Sequence, residues 1–126
     1  MTEAPHNVLI VDDEYASLEV LALLMAGEGF QVFTAGDGEE ALLQLAKVAI
    51  TLVITDYKMP KMDGNELCLR MLADPRFSRI PVIFTSATYR QDVPRPSNVE
   101  AFFSKPLFFK DVLAAVRRIL QSATPG

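Results

Sequence analysis

A single cysteine among 126 residues, Cys68, excludes an internal disulfide. It falls within an apolar helical pattern and reads as core rather than as a redox sensor. Histidine is equally scarce. His6 has no cysteine or second histidine near it in sequence and reads as a tail residue, not a metal ligand. No apolar stretch approaches the roughly 20 residues needed to span a bilayer. The opening Met1-Thr2-Glu3-Ala4-Pro5-His6 lacks the basic segment and long apolar core of a signal peptide. These two absences predict a cytoplasmic location and no membrane partner. Positive charge is also short: 12 Lys and Arg stand against 16 Asp and Glu, for a net charge of −4. Arg90, Arg95, Arg117 and Arg118 are scattered as on a solvated surface, so direct nucleic acid binding is not expected.

Half of the residues are apolar, and the length suits one domain over 1–126, with residues 1–6 and 122–126 as tails. Apolar runs and helical patterns alternate along it. Asn7-Val8-Leu9-Ile10-Val11 reads as a strand, and Leu18, Leu21, Ala22 and Met25 then mark one helical face, closed by Gly27 and Gly29. Phe30 to Thr34 alternates apolar with polar as a half-buried edge strand would. After Gly36-Asp37-Gly38 a second helix, Glu39 to Lys47, carries Ala41, Leu42, Leu45 and Ala46 on one face. Thr51 to Thr55 is the central strand. Pro60, Asp63 and Gly64 interrupt regular structure after it, and Leu67, Cys68, Met71 and Leu72 mark a third helix that ends before Pro75. Ile80-Pro81 opens a fourth strand through Val82-Ile83-Phe84, and Ala101-Phe102-Phe103-Ser104 is a fifth. Val112, Leu113, Val116, Ile119 and Leu120 form the strongest amphipathic pattern, the last helix. Five alternations of strand and helix argue for an α/β fold: a doubly wound, five-stranded parallel sheet with helices on both faces. The segment from Ala87 to Val99 departs from the alternation. Pro94 and Pro96 bracket Arg95, and an interior proline costs a helix about 3 kcal/mol, so the fourth helix is predicted to be short or irregular.

The chemistry sits where these strands end. In open α/β sheets the carboxyl ends of the strands carry the site. Asp12-Asp13, Asp56, Thr85-Ser86 and Lys105-Pro106 occupy four such ends, so parallel neighbouring strands would bring three carboxylates, a hydroxyl and an ammonium to one rim. Loop residues are often polar simply because loops are exposed. Five such groups with complementary chemistry are harder to explain that way. Crowded carboxylates repel, and a hard cation such as Mg²⁺, which prefers one or two carboxylates with water and phosphate oxygens, is the usual reason to gather them. A lysine beside it suits a phosphoryl group.

On these residues the chain resembles the receiver domains of two-component response regulators over essentially its whole length. Asp12-Asp13 resembles the family's acidic pair, Asp56 its phosphoacceptor, Ser86-Ala87 its hydroxyl followed by a small residue, Lys105-Pro106 its lysine before a cis proline, and Asp63-Gly64 its turn into the third helix. The resemblance implies a flavodoxin-like strand order of 2-1-3-4-5. It also implies Mg²⁺-dependent transfer of a phosphoryl group from a phosphohistidine of a histidine kinase or histidine phosphotransfer protein to Asp56. Asp13, Asp56 and the Lys58 carbonyl would hold Mg²⁺, with Asp12 acting through a water. Ser86 and Lys105 would each take a phosphoryl oxygen, and Ser86 and Phe102 would form the switch to an output partner or domain not identified by sequence. Such a domain is not an enzyme in the usual sense, although it catalyses its own phosphorylation and dephosphorylation.

Three other readings compete. A phosphatase with an aspartyl nucleophile would need a second aspartate two residues after Asp56 as general acid, where this chain has Lys58. A flavin-binding domain would need a hydroxyl- and glycine-rich phosphate loop after the first strand, where Asp12-Asp13-Glu14 would repel anions. A degenerate receiver acting only as an interaction module would not need all five key positions.

Overall fold

The computed structural model describes residues 5–87 and 93–123. In chain order the elements are β1 (Asn7–Val11), α1 (Tyr15–Gly27), β2 (Gln31–Ala35), α2 (Gly38–Lys47), β3 (Leu52–Asp56), α3 (Gly64–Leu72), β4 (Val82–Ser86), β5 (Val99–Ser104) and α4 (Phe109–Ala123). All strand pairs are parallel, in the order β2-β1-β3-β4-β5. The expected order and the edge position of β2 are both borne out.

Alternate strand residues feed two separate cores, as the period-2 pleat requires. Leu9, Val11, Val53, Val82 and Phe84 point to the side covered by α2 and α3, where Ala41, Leu45, Leu67, Cys68 and Met71 meet them. Val8, Ile10, Leu52, Ile54 and Ile83 point to the opposite side, against Leu18, Leu21 and Met25 of α1 and Val112, Val116 and Ile119 of α4. Every residue of β3 and of β4 is buried, which is why both read as unbroken apolar runs rather than alternating ones. Removing one such side chain from water contributes about 1.5–3 kcal/mol.

The starts of α2 and α3 are fixed by short acidic side chains. Asp37 and Asp63 each accept the backbone N–H three residues on, from Glu40 and Glu66, both at 2.8 Å. Among the described residues no helix is long and apolar enough to cross a membrane.

Some boundaries differ from the sequence reading. β2 and β3 each run one residue later than expected, ending at Ala35 and Asp56. Ala46 is exposed, because a face only two turns long holds Ala41 and Leu45 against the sheet and turns Ala46 to solvent. α4 extends through Ser122 and Ala123, past residue 122, where the sequence reading begins a tail. Residues 93–98 carry no helix, as the prolines at 94 and 96 dictate, while the rest of the expected irregular segment, residues 88–92, lies outside the described residues.

Candidate functional site

Parallel register carries the strand ends to one rim. β1 and β3 are neighbours with Val11 opposite Thr55, so Asp12 and Asp56 follow side by side. Asp56 pairs with Thr85 across β3 and β4, and Ser86 pairs with Ser104 across β4 and β5, which places Lys105 one residue beyond. The Lys105 N–H donates to the Ser86 carbonyl at 2.8 Å, and the following peptide to Pro106 is cis, as the resemblance implies.

Carboxylate oxygens of Asp12, Asp13 and Asp56 lie within 4.8 Å of one another. Lys105 Nζ reaches between two of them, 3.2 Å from Asp12 Oδ2 and 3.3 Å from Asp56 Oδ2. Asp12 and Asp56 are buried at 7% and 8% exposure, whereas Asp13 is exposed. Asp12 has both oxygens engaged, Oδ2 with Lys105 and Oδ1 with the Glu14 N–H at 2.9 Å. Among the described residues Asp56 engages only Oδ2.

Burial pushes the Asp56 carboxyl above its ordinary range. The Lys105 ammonium opposes that shift, and Asp12 and Asp13 add to it. Burial also pulls the Lys105 ammonium down, but the Asp56 and Asp12 carboxylates outweigh it and hold Lys105 above its usual value. Lys105 thus stays charged, while Asp56 sits in surroundings that favour more positive charge than one ammonium supplies. An all-oxygen cluster of this kind fits a hard divalent cation, whose charge would bring the carboxylate back down.

The remaining expected residues take graded positions. Ser86 is fully buried at the end of β4. Phe102 is half-buried on β5 opposite Phe84 and packs against the α2/α3 core. Lys58 is exposed two residues past Asp56. A groove of about 630 Å³ opens beside Asp12 and Lys105, lined by Val20 and Leu24 of α1 and by Leu107 and Phe109.

Glycine explains how the loop after Asp56 folds back. A Cβ on Gly64 would lie 2.7 Å from the Asp56 carbonyl oxygen, so only glycine lets α3 start this close to the strand end. Sequence reasoning marked Gly64 as a turn. It placed Gly38 in the break before the second helix but did not see that a Cβ there would fall 2.8 Å from Met62, because that contact joins residues far apart in the chain.

The sequence matches the response regulator receiver domain family over residues 8–117. The chain belongs to that family. As a receiver domain it is a phosphoacceptor of two-component signalling, in which receivers pair with histidine kinases. Among curated relatives it is 32% identical over 118 residues to the DNA-binding response regulator MtrA of Mycolicibacterium paratuberculosis, an alignment covering 91% of this chain and 51% of that protein. The chain therefore spans about half the length of such relatives. Among solved structures it superposes on the signal receiver domain of a signal transduction histidine kinase from Syntrophus aciditrophicus at a TM-score of 0.83, with 26% identity, covering 96% of this chain and 94% of the other. A response regulator receiver protein from Pseudomonas putida gives a TM-score of 0.82 with 28% identity, covering 93% and 99%.

Proposed function

We propose that Asp56 is the phosphoacceptor of this receiver domain and takes its phosphoryl group from a phosphohistidine on a partner kinase or phosphotransfer protein. One observation carries the choice among the three carboxylates. Asp12 is bonded through both oxygens and Asp13 faces solvent, while Asp56 is buried and keeps Oδ1 unengaged among the described residues. In the transfer a carboxylate oxygen of Asp56 bonds to phosphorus as the phosphorus–nitrogen bond breaks, and the imidazole leaves with the electron pair. Such transfers run through a loose, in-line transition state and need positioning and charge compensation more than covalent chemistry.

Lys105 and Ser86 each take a phosphoryl oxygen, Lys105 as a point charge and Ser86 as a hydroxyl donor. Asp13, Asp56 and the Lys58 carbonyl would hold Mg²⁺, with Asp12 acting through a water. The bound cation would neutralise the charge of the arriving phosphoryl group. Lys58, exposed beside the acceptor, stands where a hydrolytic water must approach, and so it tunes how long the aspartyl phosphate survives. The domain in this way catalyses its own phosphorylation and dephosphorylation. The apolar groove beside Asp12 and Lys105 supports a protein donor over a small molecule, since exposed apolar surface next to a site marks a docking partner.

The test is intact mass after incubation with a small acyl phosphate and Mg²⁺. Wild type should gain one phosphoryl group and Asp56→Asn none. Equal labelling of the two would refute the assignment.

A further inference from the structure

Among the described residues one non-glycine residue has a positive φ: Lys61, at 66°. The Met62 N–H donates to the Pro60 carbonyl, two residues back, at 2.7 Å. Lys61 therefore centres a γ-turn of the left-handed, strained kind. A side chain with a Cβ occupies that region at a cost, and such strain persists only where the surroundings hold it, typically at ligand sites.

Two contacts hold it, both from the turn that opens α2. Lys61 Nζ lies 3.6 Å from Asp37 Oδ2, and Asp37 is itself fixed by capping α2. Met62 is buried directly over Gly38, where any Cβ would collide with it. At the far end of the loop the Gly64 N–H donates to the Tyr57 carbonyl at 2.7 Å. The segment that leaves Asp56 is thus pinned at Tyr57 and again at Lys61 and Met62, with Lys58 to Pro60 between the pins.

We propose that Lys61 is a positioning residue for the acceptor site: its left-handed turn, tied to the start of α2, fixes the loop that presents the Lys58 carbonyl beside Asp56. The inference rests on the reading of Asp56 and Lys58 as oxygen donors. Mg²⁺ demands near-ideal octahedral geometry, so a carbonyl donor on a loose loop binds it poorly. A donor already fixed by strain and packing loses less freedom on binding. The pair with Asp37, whose lysine is largely exposed, contributes little alone, so the backbone turn is the larger influence.

The experiment is calorimetric titration with Mg²⁺ of wild type, Lys61→Asn and Lys61→Val, alongside melting curves in chelator. Both variants remove the same charge, so their difference isolates the backbone. Asparagine tolerates the left-handed region and valine does not. Lys61→Val should therefore bind Mg²⁺ about tenfold more weakly than Lys61→Asn. Equal dissociation constants overturn the proposal, even if the valine variant melts lower in chelator, since that result describes a purely structural role. Should the valine variant fail to fold, Lys61→Ala takes its place, with an expected weakening of about threefold relative to Lys61→Asn. If wild type itself binds no Mg²⁺, the reading of the site fails and this inference falls with it. If wild type binds and the variants do not differ, only the role of Lys61 is lost.

Discussion

Among the described residues Asp13 differs from the other carboxylates of the cluster in having no cation paired with it. Lys105 pairs with Asp12 and Asp56, and Asp13 is left exposed with its charge uncompensated among the described residues. Asp13→Asn keeps the shape and removes one like charge. It should raise the melting midpoint in chelator, the stabilisation being no more than about 1 kcal/mol because solvent screens an exposed group. The variant should also lose most of the gain that millimolar Mg²⁺ gives wild type, since a ligand stabilises only in proportion to its binding. Four melting curves decide this, and a variant that is less stable in chelator yet gains fully from Mg²⁺ would remove Asp13 from the metal site. Cys68 makes a second prediction at this scale. Burial, with a smaller contribution from Asp63, pushes its thiol from 9.0 up to about 12. Its folded pKa lies above its unfolded one, so its contribution to stability is complete below pH 9.0 and is lost progressively as pH rises toward about 12. Iodoacetamide at pH 8 should leave Cys68 unmodified until the domain unfolds, and Cys68→Ala should flatten the fall in melting midpoint above pH 9.0. Rapid native alkylation would contradict the burial.

α1 is apolar on more than its packed face. Leu18, Leu21 and Met25 are buried, while Leu23 is 75% exposed and Val20 59%. Leu18→Ala should therefore cost about 2–5 kcal/mol in urea unfolding. Leu23→Ala should stay within about 0.5 kcal/mol, and comparable losses at both sites would mean that α1 packs differently. The switch proposed for Ser86 and Phe102 belongs to this scale as well. Tyr57 stands tilted against Phe84 at 6.0 Å, and Phe84 lies opposite Phe102 in the adjoining strand. This aromatic row runs from the residue after Asp56 to half-buried Phe102. If Ser86 closes on the phosphoryl group, Phe102 gains room to turn inward, a shift between two packings rather than a new fold. Aromatic NMR shifts of Phe102 should move when a phosphate analogue and Mg²⁺ are added. Unchanged shifts would make Phe102 an ordinary core residue.

At the scale of the molecule, one sheet separates two cores, with β1, β3 and β4 inside and β2 and β5 at its edges. Amide exchange should be slowest in β3, buried throughout and paired on both sides, and faster in β2, where four of five residues retain exposure. Equal protection in the two strands would argue against this layering. The sequence by itself determined the element order, because a strand buried on both faces must read as an apolar run and a helix packed on one face must repeat at three and four. It also determined which residue types end the strands, hence the candidate set Asp12, Asp13, Asp56, Ser86 and Lys105. Pro94 and Pro96 ruled a regular helix out of their neighbourhood through local sterics alone. Only the tertiary structure decided that, among the described residues, Lys105 pairs with Asp12 and Asp56 but not Asp13, and Asp56 keeps an oxygen unengaged. It also decided that Met62 lies over Gly38 and that Lys61 is held left-handed. These facts depend on distances between residues brought together by parallel pairing and loop closure, and no local pattern of side chains encodes such distances.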